Sequence, residues 1–343
     1  MPWQDQLKGD SLSWLLKADS PGMRYLVLRD LLDVPAGLLE LSQARKTAHQ
    51  EGPIAEILSK MDISGFWVEP GPGYYPKYYS SVWSLVLLAQ LGACIQEDER
   101  IQLACTYILD QALKRNGQFS ASGSPSGTAD CLQGNLCWAL LELGCEDPRL
   151  EIAFEWMART VTGEGMSSTV DRTAARRYYA GKCGPTFACG SNNRLPCAWG
   201  AVKVMLAFGK LPRTRWTPLI DRAVQHGVDF FFSIDPATTG YPCGFSNKPS
   251  QNWLKFGFPV FYVTDLLQII EALIPLGYIH DPRLSSSISM IREKQDAEGR
   301  WLLDVDYSEK TWGEFGEKKQ PSPWVTLRAL RVLKSVGSYF EGQ

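Results

Sequence analysis

Sulfur, carboxylate and basic groups crowd one stretch of this chain. Between Gly163 and Pro196 lie Arg172, Arg176, Arg177, Tyr178, Tyr179, Lys182, Cys183, Cys189, Asn193 and Arg194, with Cys197 directly after and the pair Asp130-Cys131 one segment earlier. Four thiols, Cys131, Cys183, Cys189 and Cys197, are the number and type of ligand a tetrahedral Zn²⁺ takes, so a cysteine-bound zinc is one expectation. The spacing is not Cys-x-x-Cys, and two other uses stay open: burial as small apolar residues, or thiol chemistry with Cys197 as the reacting group. Four filled positions would make the metal structural, and a vacant one would make it catalytic.

Two aspartates are candidates for acid-base work. Asp130 stands at the start of a helix beside these cysteines. Asp265, in the apolar run Phe261-Tyr262-Val263-Thr264-Asp265-Leu266, would be costly to bury unless titrated to neutrality or paired with a neighbouring Lys or Arg. Tyr78 and Trp253 belong to an aromatic set able to line an apolar pocket and to stabilise positive charge on ring faces. Arg177, Tyr179, Asn193 and Lys255 are the polar substrate contacts expected around it, the basic ones suited to an anionic head group such as diphosphate.

These residues are positioned by a repeat. Apolar helices end in a leucine-glycine type step at Gly92, Gly144, Gly209, Gly277 and Gly337, where a left-handed C-terminal cap calls for glycine. Short acidic turns, such as Asp147-Pro148-Arg149 and Asp281-Pro282-Arg283, then open a second, amphipathic helix. Those second helices finish at a glycine-aromatic step, as in Gly65-Phe66-Trp67, Gly117-Gln118-Phe119 and Gly299-Arg300-Trp301. Links after the leucine-glycine step are short, while those after the aromatic step run to ten residues or more. Helical hairpins with all their long links on one side form a ring whose site belongs at that mouth. The expected fold is all-α, an α/α toroid of five to six hairpins and a single domain over 1–343. Residues 53–340 form the ring, after N-terminal helices in which Ser20 to Val34 resembles a HEAT-type helix.

Composition excludes several functions. The 35 basic and 37 acidic residues are interspersed and nearly cancel, leaving no basic surface for nucleic acid. No apolar run reaches the ~20 residues of a membrane span. Met1 to Asp19 lacks a basic segment followed by an apolar one, so cytoplasmic location with reduced cysteines is expected. No nucleotide or haem motif is present.

The segment Gln295-Asp296-Ala297-Glu298-Gly299-Arg300-Trp301 has the spacing of the QW motif, and Gln111 to Phe119 is a looser copy. With the hairpin pattern, this resembles the prenyltransferase and squalene-hopene cyclase (terpenoid cyclase) repeat superfamily. The resemblance implies an α/α toroid with a central cavity and an apolar, isoprenoid substrate. The DxDD acid motif of the cyclases is met only in part by Asp304-Val305-Asp306-Tyr307, which lacks the last carboxylate. Asn193 to Gly200 echoes the zinc-binding neighbourhood of protein prenyltransferases, with Leu195 where their aspartate stands. The expectation is an enzyme that holds an isoprenoid in the cavity with a cysteine-bound zinc. The alternatives are a non-catalytic binding toroid with structural zinc, a thiol-dependent hydratase or isomerase, and a carbohydrate-active barrel.

Overall fold

The computed structural model describes residues 3–246 and 248–337; the end of the expected ring, 338–340, lies outside them. The chain runs through α1 (Ser11–Leu16), α2 (Pro21–Asp30), α3 (Leu39–Gln50), α4 (Pro53–Ser59), α5 (Ser81–Gln90), α6 (Glu99–Ala112) and α7 (Asp130–Glu142). It continues with α8 (Arg149–Thr162), α9 (Ala198–Lys210), α10 (Pro218–Phe231), α11 (Leu266–Leu273), α12 (Ser285–Glu293) and α13 (Pro323–Gly337). Among the described residues there is no β-strand, only isolated bridges, so the all-α expectation holds.

Sequence decides which layer each helix joins. Every residue of α5 except Gln90 is buried, whereas α6 buries Ile101, Ala104, Cys105, Ile108, Leu109 and Ala112 at helical spacing and leaves its other face to solvent. A helix buried all round belongs inside, and a one-faced helix outside. One 490 Å³ cavity is lined by Asp30 of α2, Gln90 of α5, Glu142 of α7, Leu206 of α9, Glu271 of α11 and Arg331 of α13. Six helices therefore surround one axis, which is the expected toroid. The α2 segment, read as HEAT-like and preceding the ring, is instead its sixth inner helix. Arg331 of α13 pairs with Asp30 of α2, and a Cβ on Gly22 would reach both Leu91 and Trp324, at 3.9 and 3.8 Å.

The repeat has a hydrogen-bond basis. At each aromatic step the backbone N–H donates to a side chain of the inner helix that follows: Trp67 to Ser81 Oγ (3.1 Å), Phe119 to Gln133 Oε1 (2.8 Å) and Trp301 to Thr326 Oγ1 (3.0 Å). Outer helices open with an Asp-x-Arg clamp in which Asp98, Asp147 and Asp281 each accept both the backbone N–H and the guanidinium of the arginine two residues on. Gln295 accepts from the Lys8 backbone and donates to the Gln6 carbonyl, tying the N-terminal segment to the end of α12. Gln111, its expected counterpart, is exposed on α6; Gln133 ties that hairpin instead, donating to Gly117 O and Ala153 O.

Gly92, Gly144 and Gly277 take the left-handed conformation expected after an inner helix. Gly209 and Gly337 do not; both lie within helices, where a Cβ would strike Pro275 at 2.5 Å and Trp3 at 2.4 Å. At these two positions glycine serves close packing rather than chain reversal. The long connections all precede inner helices and so gather at their N-terminal ends. Among the described residues no helix is long and apolar enough to cross a membrane.

Candidate functional site

Asp130 is the first residue of α7 and is only 3% exposed. Its position follows from the contact between α7 and α9. A Cβ on Gly134 would lie 2.3 Å from the Lys203 carbonyl carbon, and one on Gly200 would lie 3.1 Å from Asp130 Cβ. Glycine at both places lets the helices meet backbone to backbone, which seals Asp130 from bulk water. On its open side lies a 350 Å³ cavity at the long-loop mouth, also lined by Tyr74, Lys77, Lys182, Trp199 and Tyr262. That volume is within the about 300–1,000 Å³ typical of small-molecule sites.

Burial pushes the Asp130 carboxyl well above the ordinary carboxylate range; a hydrogen bond with Cys183 only partly offsets this. Oδ2 has no hydrogen-bond partner among the described residues. A carboxyl whose burial favours the protonated form, with one unsatisfied oxygen and a cavity beside it, is equipped to give up a proton. The N-terminus of α7 places its positive end where the carboxylate left behind would stand.

The four cysteines reach this mouth but do not form the expected zinc set. Among the described residues, no three His, Cys, Asp or Glu side chains come together in a metal-binding group. Cys183 lies against Thr128 Oγ1 at 3.8 Å, while Cys189, Cys197 and Cys131 line the cavity wall, the Cys131 thiol pushed up to about 11 chiefly by burial.

The aromatic wall is continuous with the site. Tyr78 stacks on Phe261 at 5.0 Å and meets Tyr307 edge-on at 4.6 Å, while Lys77 holds its ammonium 4.8 Å from the centroid of Tyr262 and 5.7 Å from that of Tyr74. Tyr78 and Lys255 line an adjoining 290 Å³ cavity. Trp253, packed on Tyr241, lines a third, of 170 Å³, together with Cys197. Tyr78, Lys255 and Trp253 are therefore gathered at the mouth.

Arg177, Tyr179 and Asn193 are placed elsewhere. Arg177 donates to Thr169 O and lies over Tyr179, whose ring stacks on Trp156 of α8, so the two hold the third loop against an outer helix. Asn193 is an exposed turn residue with φ +54°. None of the three lines the Asp130 cavity. Trp199 and Tyr262, which do, were not singled out by sequence as substrate contacts; the signal available was their position within three residues of Cys197 and Asp265.

Asp265 lines the 290 Å³ cavity but is already engaged. Arg328 donates to both its oxygens at 2.9 Å, and the Gln268 backbone N–H caps α11 on it at 2.8 Å. Behind it Lys203, 1% exposed, donates to Gln268 Oε1, which also accepts from Thr264 Oγ1 at 2.5 Å. Burial, aided by Arg328 and opposed by Asp265, Cys131 and Glu271, pulls the Lys203 ammonium down to about 7. The unfolded side chain stays charged to about pH 10.4, so wild-type folding stability should climb as pH rises from about 7 toward 10. Lys203→Met removes that cost, at most about 5 kcal/mol by this linkage. Urea unfolding should show its advantage over wild type at pH 7 shrinking by pH 9, and a pH-independent difference would contradict this account.

These features define an α/α toroid with an acid-bearing cavity at its long-loop mouth. No protein-family model matches the chain, and no curated protein is significantly similar to it. Among solved structures it is similar to a single-residue variant of the type II terpene cyclase MstE from Scytonema in complex with its substrate geranylgeranyl dihydroxybenzoate. That match has 11% identity over 88% of this chain and 99% of that one, with a TM-score of 0.33. A second variant of the same cyclase, in complex with its product merosterolic acid A, gives 12% identity over the same shares and a TM-score of 0.34. At those scores nothing about substrate or reaction follows from the likeness.

Proposed function

We propose that this chain is an enzyme that protonates an unsaturated, apolar substrate of the isoprenoid class, with Asp130 as the acid. One observation carries the reading: Oδ2 of the buried Asp130 carboxyl has no hydrogen-bond partner among the described residues, and Asp130 lines a cavity walled by aromatic rings. Transfer of the Asp130 proton to one carbon of a C=C bond leaves a carboxylate on the enzyme and a cation on the other carbon. Lys77 already rests a positive charge against Tyr262 and Tyr74, so those rings have the placement needed to stabilise such a cation. The carboxylate then recovers a proton from a carbon next to the cation, and the product is an isomer or a cyclised form of the substrate.

The test is incubation of the purified chain with linear isoprenoids of increasing length in deuterated water, followed by mass spectrometry of the extract. A product carrying carbon-bound deuterium from solvent is expected. No conversion across the series, or product without solvent deuterium, would sink the proposal.

A further inference from the structure

Two of the cysteines at the long-loop mouth, Cys189 and Cys197, are carried on one hairpin. Residues 187–197 form a short hairpin in which the Cys189 N–H donates to Leu195 O (3.1 Å), the Arg194 N–H to Cys189 O (2.8 Å) and the Cys197 N–H to Phe187 O (2.9 Å). This pairing, closed by the bridge between Ala188 and Pro196, puts both cysteines on one face of the hairpin. Buried Asn192 clamps the hairpin to the following loop, donating to Pro196 O (2.8 Å) and Pro242 O (3.0 Å) and accepting from the Gly244 N–H (2.9 Å). Thr186, Phe187, Asn193 and Arg194 all take left-handed backbone angles, a conformation costly for residues other than glycine. Strained backbone that brings two thiols together, both lining an open cavity, is not explained by packing alone.

We propose that Cys189 and Cys197 are a redox-active dithiol, the site at which this chain exchanges electrons with low-molecular-weight disulfides. Cys189 is the attacking sulfur. The hydrogen bond from Cys197, with further help from the Ser191 and Asn192 N–H groups and against burial, pulls it down to about 6, while Cys197 is pushed up. The Cys189 thiolate attacks one sulfur of the reagent, the reagent's S–S bond breaks, and the first thiolate leaves and takes a proton from water. Cys197 then gives its proton to solvent and attacks the Cys189 sulfur, expelling the second thiolate. Two electrons pass from the cysteine pair to the reagent, which ends as two thiols. The second step is intramolecular between groups the hairpin already holds together, and so outruns capture by another molecule.

The reduced full-length chain is to be treated with hydroxyethyl disulfide, small enough to enter the cavity, and followed by intact mass and non-reducing peptide mapping. The expected result is about one disulfide per chain, joining Cys189 to Cys197 and reversed by dithiothreitol. Cys197→Ser should instead stop at the mixed disulfide on Cys189. The proposal is overturned if the bond forms instead between Cys105 and Cys145, which also influence one another's titration. It is overturned equally if Cys189 is modified no faster than Cys94 or Cys243, or if both thiols resist the reagent until a zinc chelator is added.

Discussion

Asp130→Asn should lower turnover by about 10²–10⁴-fold, the usual contribution of a general acid, and at the same time stabilise the chain at neutral pH. The two effects share one cause. An unfolded aspartate titrates near 4, whereas burial holds the proton on folded Asp130 to much higher pH. Between those two points the folded chain keeps a proton that the unfolded chain has lost. Wild-type stability from this group is therefore fully present below about pH 4 and declines as pH rises toward the folded value. Asparagine has a similar shape and carries no charge in either state, so its fold has nothing to lose as the pH climbs.

Two measurements check this together: product formation from the best substrate in the isoprenoid series, and urea unfolding at pH 5 and 7.5. Lost turnover with a stability advantage that widens between pH 5 and 7.5 is the expected outcome. A variant that turns over normally would remove Asp130 from the reaction. A variant less stable than wild type at pH 7.5 would mean that the carboxyl is charged and paired in the fold, which its unpartnered Oδ2 contradicts.

What could be seen in advance of the structure, and what could not, divides along local and long-range physics. Helix ends are local. Gly92, Gly144 and Gly277 announce left-handed caps because only a few residues decide them, and the lengths of the links alone point to the mouth where the Asp130 cavity lies. Asp130 was visible for the same reason, as a carboxylate opening an apolar helix. The role of α2 was hidden because its helical neighbours in the ring come from distant segments, with Asp30 reaching Arg331 across 301 residues. Gly209 and Gly337 carry the same leucine-glycine pattern as the true caps and differ only in what packs against them, Pro275 and Trp3. The cysteines show the limit most sharply. Type and loop length are compatible with four ligands, but which sulfur meets which group depends on the 187–197 hairpin, and that is set by hydrogen bonds the spacing does not encode.

Arg328→Met is expected to cost about 3–5 kcal/mol of folding stability, since it strips the counter-charge from buried carboxylates. Arg328 is 4% exposed and donates to both oxygens of Asp265, to both of Glu271 at 2.9 and 2.8 Å, and to Gly257 O at 2.8 Å. Burial opposes its charge, but the two carboxylates beside it more than offset that and move its pKa up. Methionine restores most of the volume and none of the donors, leaving Asp265 and Glu271 facing one another. Lys203 stands close enough for its ammonium to take up part of that charge, which favours the lower end of the range. The triple variant Arg328→Met, Asp265→Asn, Glu271→Gln tests the cause. Its amides keep the α11 cap at Gln268 without charge, so it should recover much of the loss in urea unfolding. If the single variant unfolds like wild type, the ion cluster contributes nothing. If the triple variant is no better than the single, the loss comes from packing around Arg328 rather than from unpaired charge. The cluster also separates the two mouths of the ring, with Asp265 lining the 290 Å³ cavity on one side and Arg328 the 490 Å³ cavity on the other. Cutting it from the Arg328 side should therefore leave the Asp130 cavity, which borders neither residue, with its acid in place.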